Sequence, residues 1–421
     1  KGGDDLYPAT VELAKKLNTV AKTEDPTRPT TIALHGSELY NKYGLADVPD
    51  VVGWNLYLGW YSGEIDQFGR FLDDQHKRYP TRPLIVSEYG ANADRRFHST
   101  EPRRFDSTSE YSRKFHESYL AQLDARSYIS GSTLWNNFDF GAENRGETIP
   151  HVNQKGMLTF DRKPKDVYYF YKAALSKAQV MHVAVGDQPI FAGNPDREFP
   201  IDVYSNSGEV DLELNGKSLG RKPADGTHKA TWNVHFKPGN NTLWAGGTST
   251  SDKAEVTFIG VTASSPEIAI NVGSNADYTD ASGRVWLADR PFKNGTWGFV
   301  GAAATRVYGT PGDPNIRETI DDGLFQTMCE GLEGYKIDVP AGNYQVVLMF
   351  AETKNEKAGK RIFDVSINSK PAITGLDLAA SPGAYKPLVK TFDVTTRGGI
   401  EISFSAKTGK AILNGLRIVR K

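Results

Sequence analysis

The stretch Pro83-Leu84-Ile85-Val86-Ser87-Glu88-Tyr89-Gly90 decides the fold of the first part of this chain. Its apolar, β-branched run ends in one carboxylate and a glycine, which is typical of a buried parallel strand with Glu88 at its carboxyl end. In a barrel of alternating strands and helices, catalytic side chains lie at that end. The alternative for Glu88 is a structural role as a loop cap or an ion-pair partner, and the flanking segments bear on the choice.

Helix and strand patterns alternate on both sides of this stretch, from residue 1 to residue 178. The apolar spacing predicts helices at 6–20, 65–78, 109–126 and 167–178, and further strands at 30–35, 51–57 and 130–136. Ser109 is the expected N-cap of the third helix. Four strand–helix units imply a parallel sheet, and four units are half of an eight-stranded barrel. Because such a half leaves apolar strand edges unpaired, we expect residues upstream of Lys1, or a companion polypeptide, to complete the barrel.

The pattern changes to period two with turn signals after residue 178. Alternating segments at 200–206, 210–214, 229–234 and 241–245 predict a small antiparallel sandwich over residues 179–262. Further β segments at 268–272, 344–350, 361–368, 400–404 and 411–418 predict a third, β-rich domain over residues 263–421. The sequence therefore predicts three domains, with bounds 1–178, 179–262 and 263–421.

Charge and cysteine content exclude several classes of function. The 50 basic residues nearly balance the 51 acidic ones, so no nucleic-acid partner is expected. No apolar run reaches membrane-spanning length, so no membrane span is expected. Cys329 is the single cysteine, which rules out an internal disulfide and a thiolate metal site.

Five motifs follow one another in the first domain. They are Asp25-Pro-Thr-Arg-Pro29, Asn55-Leu-Tyr57-Leu-Gly-Trp60-Tyr61, Ser87-Glu88-Tyr89-Gly90, Trp135-Asn-Asn-Phe-Asp139-Phe140 and Asn153-Gln-Lys155-Gly156. In order and spacing they resemble the C-terminal half of the TIM barrel of glycoside hydrolase family 2, the family of β-galactosidases and β-glucuronidases. The sandwich over 179–262 resembles the immunoglobulin-like domain that follows the barrel in that family.

The last domain carries framework motifs of another family. Ile270-Asn-Val-Gly273, Phe350-Ala-Glu352, Phe363-Asp-Val365 and Leu413-Asn-Gly415 resemble a malectin-like carbohydrate-binding domain. Aromatic faces stack on sugar rings, but the same residues also fill cores, and both roles stay open here. The aromatic candidates are Tyr278, Trp286, Trp297, Phe299 and Tyr308.

The resemblance implies a retaining exo-β-glycosidase. Such enzymes use two carboxyl groups about 5–5.5 Å apart. The family pattern assigns the nucleophile to Glu88 and gives Tyr57 the task of orienting that carboxylate. The acid/base glutamate of the family corresponds to a position upstream of Lys1. Glu38 is the nearby carboxylate considered as a substitute, but it does not stand at the family's position for the acid.

The remaining site residues follow from the same motifs. Substrate contacts are expected from Asn55, Trp60, Trp135 and His35, with strand packing or loop support as the alternative for each. Asn153 and Lys155 resemble the motif with which β-glucuronidases grip the sugar carboxylate, although galactosidase-like members carry it too.

The context of these motifs decides the expected substrate. The Asp161-Arg162-Lys163 segment, the aromatic helix at 167–178 and the appended domains favour a β-galactosidase that releases terminal β-galactosides from oligo- or polysaccharides. A β-glucuronidase that uses Asn153 and Lys155 is the first alternative. A non-catalytic carbohydrate-binding fragment is the second.

Cofactors and location follow from the chemistry. Two carboxyl groups and a water suffice for the reaction, so no redox cofactor is expected. No metal ligands stand out; a structural Ca²⁺, Mg²⁺ or Na⁺ ion stays open but unlocated, and so does a homo-oligomer. A bacterial periplasmic or secreted location is expected, with the signal upstream of Lys1.

Overall fold

The computed structural model describes residues 6–301, 305–306 and 315–421, and Tyr308 lies outside them. These residues divide into two compact units. The first comprises residues 6–91, 112–138 and 155–157, and the second comprises the described residues of 92–111, 139–154 and 158–421.

Helices and strands alternate up to residue 178, as the sequence predicts. In chain order they are α1 (Leu6–Glu24), β1 (Thr31–His35), α2 (Leu39–Lys42), a 3₁₀ turn (Leu45–Asp47), β2 (Val51–Asn55), α3 (Gln67–Arg78), β3 (Leu84–Glu88), β4 (Phe97–His98), α4 (Ser109–Asp124), β5 (Ile129–Ser132), β6 (Phe140–Gly141), β7 (Val152–Asn153) and α5 (Asp166–Leu175). In the first unit, β1, β2, β3 and β5 pair in parallel in that order. All four strands therefore end at the same edge of the sheet.

Burial in the first unit follows the apolar pattern. Leu84 and Val86 of β3 are buried, and α3 turns Phe68 and Leu72 inward. α1 differs, because three of its apolar side chains are more than half exposed: Leu13, Leu17 and Val20. A groove of about 560 Å³ lies between α1 and the end strand β1.

Several boundaries differ from the predictions, two of them next to predicted site residues. β2 ends at Asn55 and β5 at Ser132, so Tyr57 and Trp135 lie in the loops beyond their strands. The prediction that Ser109 caps α4 is wrong. Because the helix starts at Ser109, its N-cap is the preceding residue, Thr108, whose hydroxyl accepts a hydrogen bond from the Tyr111 amide at 3.1 Å.

The second unit contains a two-sheet sandwich over residues 181–260. Its strands are β8 (Met181–Val183), β9 (Ile190–Gly193), β10 (Phe199–Ser205), β11 (Glu209–Leu214), β12 (Lys217–Pro223), β13 (Lys229–Val234), β14 (Gly239–Gly246) and β15 (Ser251–Gly260). One sheet has the order β13-β10-β8 and the other the order β12-β11-β14-β15-β9. Residues of both sheets share one apolar core, which includes Val203, Trp232 and Leu243.

The same unit continues as a second β-rich region. Its elements are β16 (Glu267–Asn271), β17 (Asp277–Thr279), β18 (Val285–Ala288), β19 (Trp297–Val300), β20 (Thr305–Arg306), α6 (Asp322–Gln326), β21 (Cys329–Glu330), β22 (Gly334–Ile337), β23 (Gly342–Phe350), β24 (Ile362–Ile367), β25 (Lys370–Leu376), β26 (Leu388–Thr396), β27 (Ile400–Thr408), β28 (Ile412–Leu413) and β29 (Gly415–Arg420). A seven-stranded sheet, β26-β23-β29-β16-β18-β17-β4, and a five-stranded sheet, β19-β22-β27-β24-β25, are the largest here.

Three of the aromatic candidates of this region fill cores. Tyr278, Trp286 and Trp297 are at most 3% exposed, and Phe299 packs against the same apolar cluster as Trp297. Tyr278, Trp286 and Trp297 therefore do not offer open faces to a sugar. Among the described residues, no helix combines the length and the apolar character that a membrane span requires.

Candidate active site

The parallel register aligns three predicted site residues at one edge of the sheet. His35 is opposite Asn55 in the pairing of β1 with β2, and Asn55 is opposite Glu88 in the pairing of β2 with β3. Each is the last residue of its strand. The carboxyl edge of a parallel sheet is where such folds gather reactive side chains.

Glu88 is bound by the residue predicted to orient it. The Tyr57 hydroxyl donates to Oε2 of Glu88 at 2.8 Å, and both side chains are half-buried. The amide of Leu56 also donates to the Glu88 carbonyl at 2.8 Å, so the backbone of this loop is attached to β3 beside the carboxylate. A hydroxyl that donates to a carboxylate fixes the direction of that carboxylate.

A close backbone approach supports the loop after Glu88. The amide of Trp135 donates to the Tyr89 carbonyl at 2.8 Å. A Cβ at Gly90 would lie 2.1 Å from the Trp135 carbonyl oxygen, so only glycine fits there. Trp135 is half-buried, and its peptide bond to Asn136 is cis. The amide of Asn136 then donates to the Lys155 carbonyl at 3.0 Å, which joins three segments of the first unit next to Glu88.

Lys155 places a buried cation among aromatic rings. The residue is 1% exposed, and its Nζ lies 4.9 Å from the ring centroid of Tyr61 and 5.5 Å from that of Trp60. Aromatic faces attract cations, most strongly away from water. Trp60 is buried, whereas Tyr61, which we did not select from the sequence, is 39% exposed and lies 5.1 Å from the Tyr57 ring.

Asn55 and His35 each have a neighbour within the first unit. The Asn55 side-chain oxygen accepts a hydrogen bond from the Ser87 hydroxyl at 2.7 Å, which ties β2 to β3. The exposed His35 ring shares a hydrogen bond of 2.6 Å with the Tyr40 hydroxyl. Contacts to a substrate stay a prediction for both.

Glu38 is poorly suited to donate a proton. Two guanidinium nitrogens of Arg78 contact its two oxygens at 2.7 and 2.9 Å. The hydrogen bond from Arg78 lowers the pKa of Glu38, against the opposing effect of burial. A carboxyl group held in its ionised form is the opposite of a general acid, so Glu38 is not suited to that role.

Asn153 belongs to the second unit. It is 2% exposed and is opposite Phe140 in the β6–β7 hairpin. The next residue, Gln154, is held by Lys165, a buried lysine that we did not select from the sequence. The Lys165 ammonium donates to the Gln154 carbonyl at 3.1 Å, to the Ala93 carbonyl at 2.9 Å and to Asp139 Oδ1 at 2.8 Å.

A metal site does not emerge from the side chains that the structure describes. Across residues 6–301, 305–306 and 315–421, no three His, Cys, Asp or Glu side chains are grouped to hold an ion. The expectation about a structural ion therefore stays a prediction.

Three family models match the chain. Residues 8–180 match the TIM barrel domain of the glycosyl hydrolases family 2, and residues 267–418 match the malectin domain. Between them, residues 196–254 match a family described as a domain of unknown function.

Individual relatives agree with these matches. A β-glucuronidase of Bacteroides fragilis is 34% identical over 55% of this chain and 34% of its own length. A β-galactosidase of Bacteroides ovatus is 29% identical over 54% of this chain and 28% of its own length. A solved structure described as Bacteroides uniformis β-glucuronidase 2 covalently bound to cyclophellitol-6-carboxylate aziridine is 37% identical, with a TM-score of 0.92 over 98% of this chain and 50% of that one. The chain thus spans about half the length of that structure and about a third of the two curated relatives.

Proposed function

We propose that this chain supplies the nucleophile of a retaining β-glucuronidase. Residues 8–180 match the TIM barrel domain of the glycosyl hydrolases family 2, and residues 267–418 match the malectin domain. The observation that carries the proposal is the Tyr57–Glu88 hydrogen bond of 2.8 Å at the carboxyl edge of a parallel sheet. It provides a carboxylate of fixed orientation where barrel enzymes perform chemistry.

The reaction needs a second carboxyl group, and we assign it to the half of the barrel outside this chain. Glu88 attacks the anomeric carbon and forms a glycosyl ester while the acid protonates the departing oxygen. Water, deprotonated by the same residue, then cleaves the ester and releases the sugar with retained configuration. The exposed apolar side chains of α1 and the groove of about 560 Å³ beside β1 support a half-barrel that packs against further barrel elements.

Two observations favour a uronate over a galactoside. The buried Lys155 ammonium suits a sugar carboxylate, since ionic hydrogen bonds are strong away from water. A relative at 37% identity is described as covalently bound to a carboxylate-bearing inhibitor. These observations reverse the order of substrates expected from the sequence. A β-galactosidase is the second candidate, because the Bacteroides ovatus relative has that activity in its name.

The proposal extends to the remaining domains and to location. We keep the domain bounds 1–178, 179–262 and 263–421, with an immunoglobulin-like fold for the middle domain. A periplasmic or secreted location suits an enzyme that takes glucuronides from oligo- or polysaccharides. The burial of Tyr278, Trp286 and Trp297 weakens the alternative of a fragment that only binds carbohydrate.

Turnover of aryl glycosides tests the proposal. Two preparations are compared, this chain alone and a longer preparation in which the upstream barrel half precedes it in one polypeptide. We expect only the longer preparation to hydrolyse aryl β-glucuronide, and to prefer it over aryl β-galactoside. Preference for the galactoside selects the second candidate.

The Glu88→Gln variant tests the nucleophile. We expect it to lower kcat by several orders of magnitude, as loss of a nucleophile does. Full turnover in this variant, or no turnover by either preparation on any aryl glycoside, would refute the proposal.

A further inference from the structure

The 139–154 loop, which carries Asn153, is attached to residues 267–418, here called the malectin-type region, within the second unit. Gln326, the last residue of α6, is 6% exposed. Its side-chain nitrogen donates to the Gly146 carbonyl at 2.8 Å and to the Glu147 carbonyl at 3.0 Å. One buried amide therefore satisfies two backbone groups of a loop about 180 residues earlier in the chain.

A second attachment runs through Arg96. Its guanidinium donates to the Thr148 carbonyl at 2.7 Å and to the Tyr278 hydroxyl at 3.0 Å. That hydroxyl in turn donates to Asp321 at 2.9 Å. Burial raises the pKa of Asp94, but the paired Arg96 charge outweighs it and lowers that pKa to about 2, so Arg96 keeps an ionic partner at any working pH.

Two further contacts hold the same loop. The side-chain amide of Asn315 is 2.8 Å from His151 Nε2. The Glu147 carboxylate is bound by Asn92 and, at 2.7 Å, by Arg145. Gln326 and Asn315 come from the malectin-type region and contact the loop directly, whereas Tyr278 of the same region is linked to it through Arg96.

We infer that the malectin-type region acts as a clamp that positions the 139–154 loop, and with it Asn153, for substrate binding. Gln326 is then a positioning residue, because it acts on the loop backbone and not on the sugar. The role in substrate binding rests on the proposed function, whereas the clamp itself does not. Tyr278, Trp286 and Trp297 of the malectin-type region are buried, which fits the task of a clamp better than the binding of a separate glycan.

The test replaces Gln326 by a residue of similar shape without donors, Gln326→Met. The matched control is Asn241→Leu in the sandwich, whose side chain is 1% exposed and also donates to two backbone carbonyls, those of Lys237 at 2.7 Å and Gly239 at 2.9 Å. Both variants lose one buried amide nitrogen that donates to two carbonyls, but only Gln326 contacts the loop. Asn241→Leu also loses the two hydrogen bonds that Asn241 Oδ1 accepts, from the Lys237 amide at 3.1 Å and from Asn215 at 3.0 Å, so it is the more severe change.

Hydrogen exchange followed by mass spectrometry measures the clamp without any turnover. The reporters are the amides of Ala142 and His151, each bonded across the loop at 2.7 Å. We expect Gln326→Met to accelerate their exchange and Asn241→Leu to leave it unchanged. Unchanged exchange in Gln326→Met would overturn the clamp.

Kinetics of the longer preparation measure the consequence for substrate binding. We expect Gln326→Met to raise KM for aryl β-glucuronide about tenfold with little change in kcat, because two buried hydrogen bonds to the loop are lost. An unchanged KM with a loosened loop, or an equal rise in Asn241→Leu, would overturn the role in binding. If no glycoside is turned over while the exchange still differs, the proposed function fails and the clamp is retained.

Discussion

Replacement of Tyr57 by phenylalanine removes one hydrogen bond and almost no volume. The lost contact is the 2.8 Å bond from the hydroxyl to Oε2 of Glu88. A hydrogen bond to a charged group contributes about 1.5–3 kcal/mol, and each 1.36 kcal/mol in the barrier changes a rate about tenfold. Since both side chains are half-buried, we expect kcat for aryl β-glucuronide to fall about 10- to 100-fold, with a smaller change in KM.

The assay is steady-state hydrolysis by the longer preparation, with Tyr128→Phe as the control. The Tyr128 hydroxyl also donates to a carboxylate, that of Asp73, but it precedes β5 and so lies at the opposite edge of the same sheet. We expect the control to retain wild-type kcat. A Tyr57→Phe enzyme within twofold of wild type, or an equal loss in Tyr128→Phe, would refute the orienting role.

Three further predictions concern buried charges. Lys155→Met should raise KM for aryl β-glucuronide at least about tenfold while leaving KM for aryl β-galactoside nearly unchanged, as measured on both substrates, because only the uronate would lose an ionic partner. Burial lowers the pKa of His182, but hydrogen bonds to Asp166 and Asp252 outweigh it and raise that pKa from 6.5 to about 8. The resulting stabilisation, about 2 kcal/mol, should be complete below pH ~6.5 and lost as the pH rises through about 8. The difference in urea-unfolding free energy between wild type and His182→Gln should therefore shrink above pH ~8. A difference that does not depend on pH would contradict this. Lys165→Met should lower the unfolding free energy by about 3–5 kcal/mol, since it breaks a buried ion pair with Asp139 and removes the donor to two carbonyl groups, and a loss below about 1 kcal/mol in urea unfolding would contradict that.

The local patterns of the sequence predicted the first unit well. The apolar run before Glu88 predicted β3. The resemblance to the glycosidase family implied that the Tyr57 hydroxyl holds the Glu88 carboxylate, and the 2.8 Å bond confirms that geometry. Period and spacing are properties of contiguous residues, so they can be read without knowing the tertiary contacts. The prediction of the α4 N-cap was wrong because Thr108 and Ser109 are both good caps by residue type. The choice between them depends on the exact residue at which the helix starts, and sequence patterns do not fix helix starts to one residue.

Non-local contacts escaped prediction for a physical reason. Lys165 precedes a helix and carries a charge, which by type indicates exposure, yet carbonyl groups from residues 93 and 154 and a carboxylate from residue 139 converge on its ammonium. The sequence left the roles of Trp286 and Trp297 open between sugar binding and core packing for a related reason. The outcome depends on which sheet covers each ring, and no local pattern records that.

The way segments 92–111 and 139–154 group with the C-terminal region limits how this protein can be recombined. A chimera with a crossover near residue 263 would replace Gln326, which donates to a carbonyl of the 139–154 loop, and Tyr278, which accepts a hydrogen bond from Arg96 of the 92–111 segment. Successful grafts should therefore transfer these two insertions together with the domain, as one inherited module.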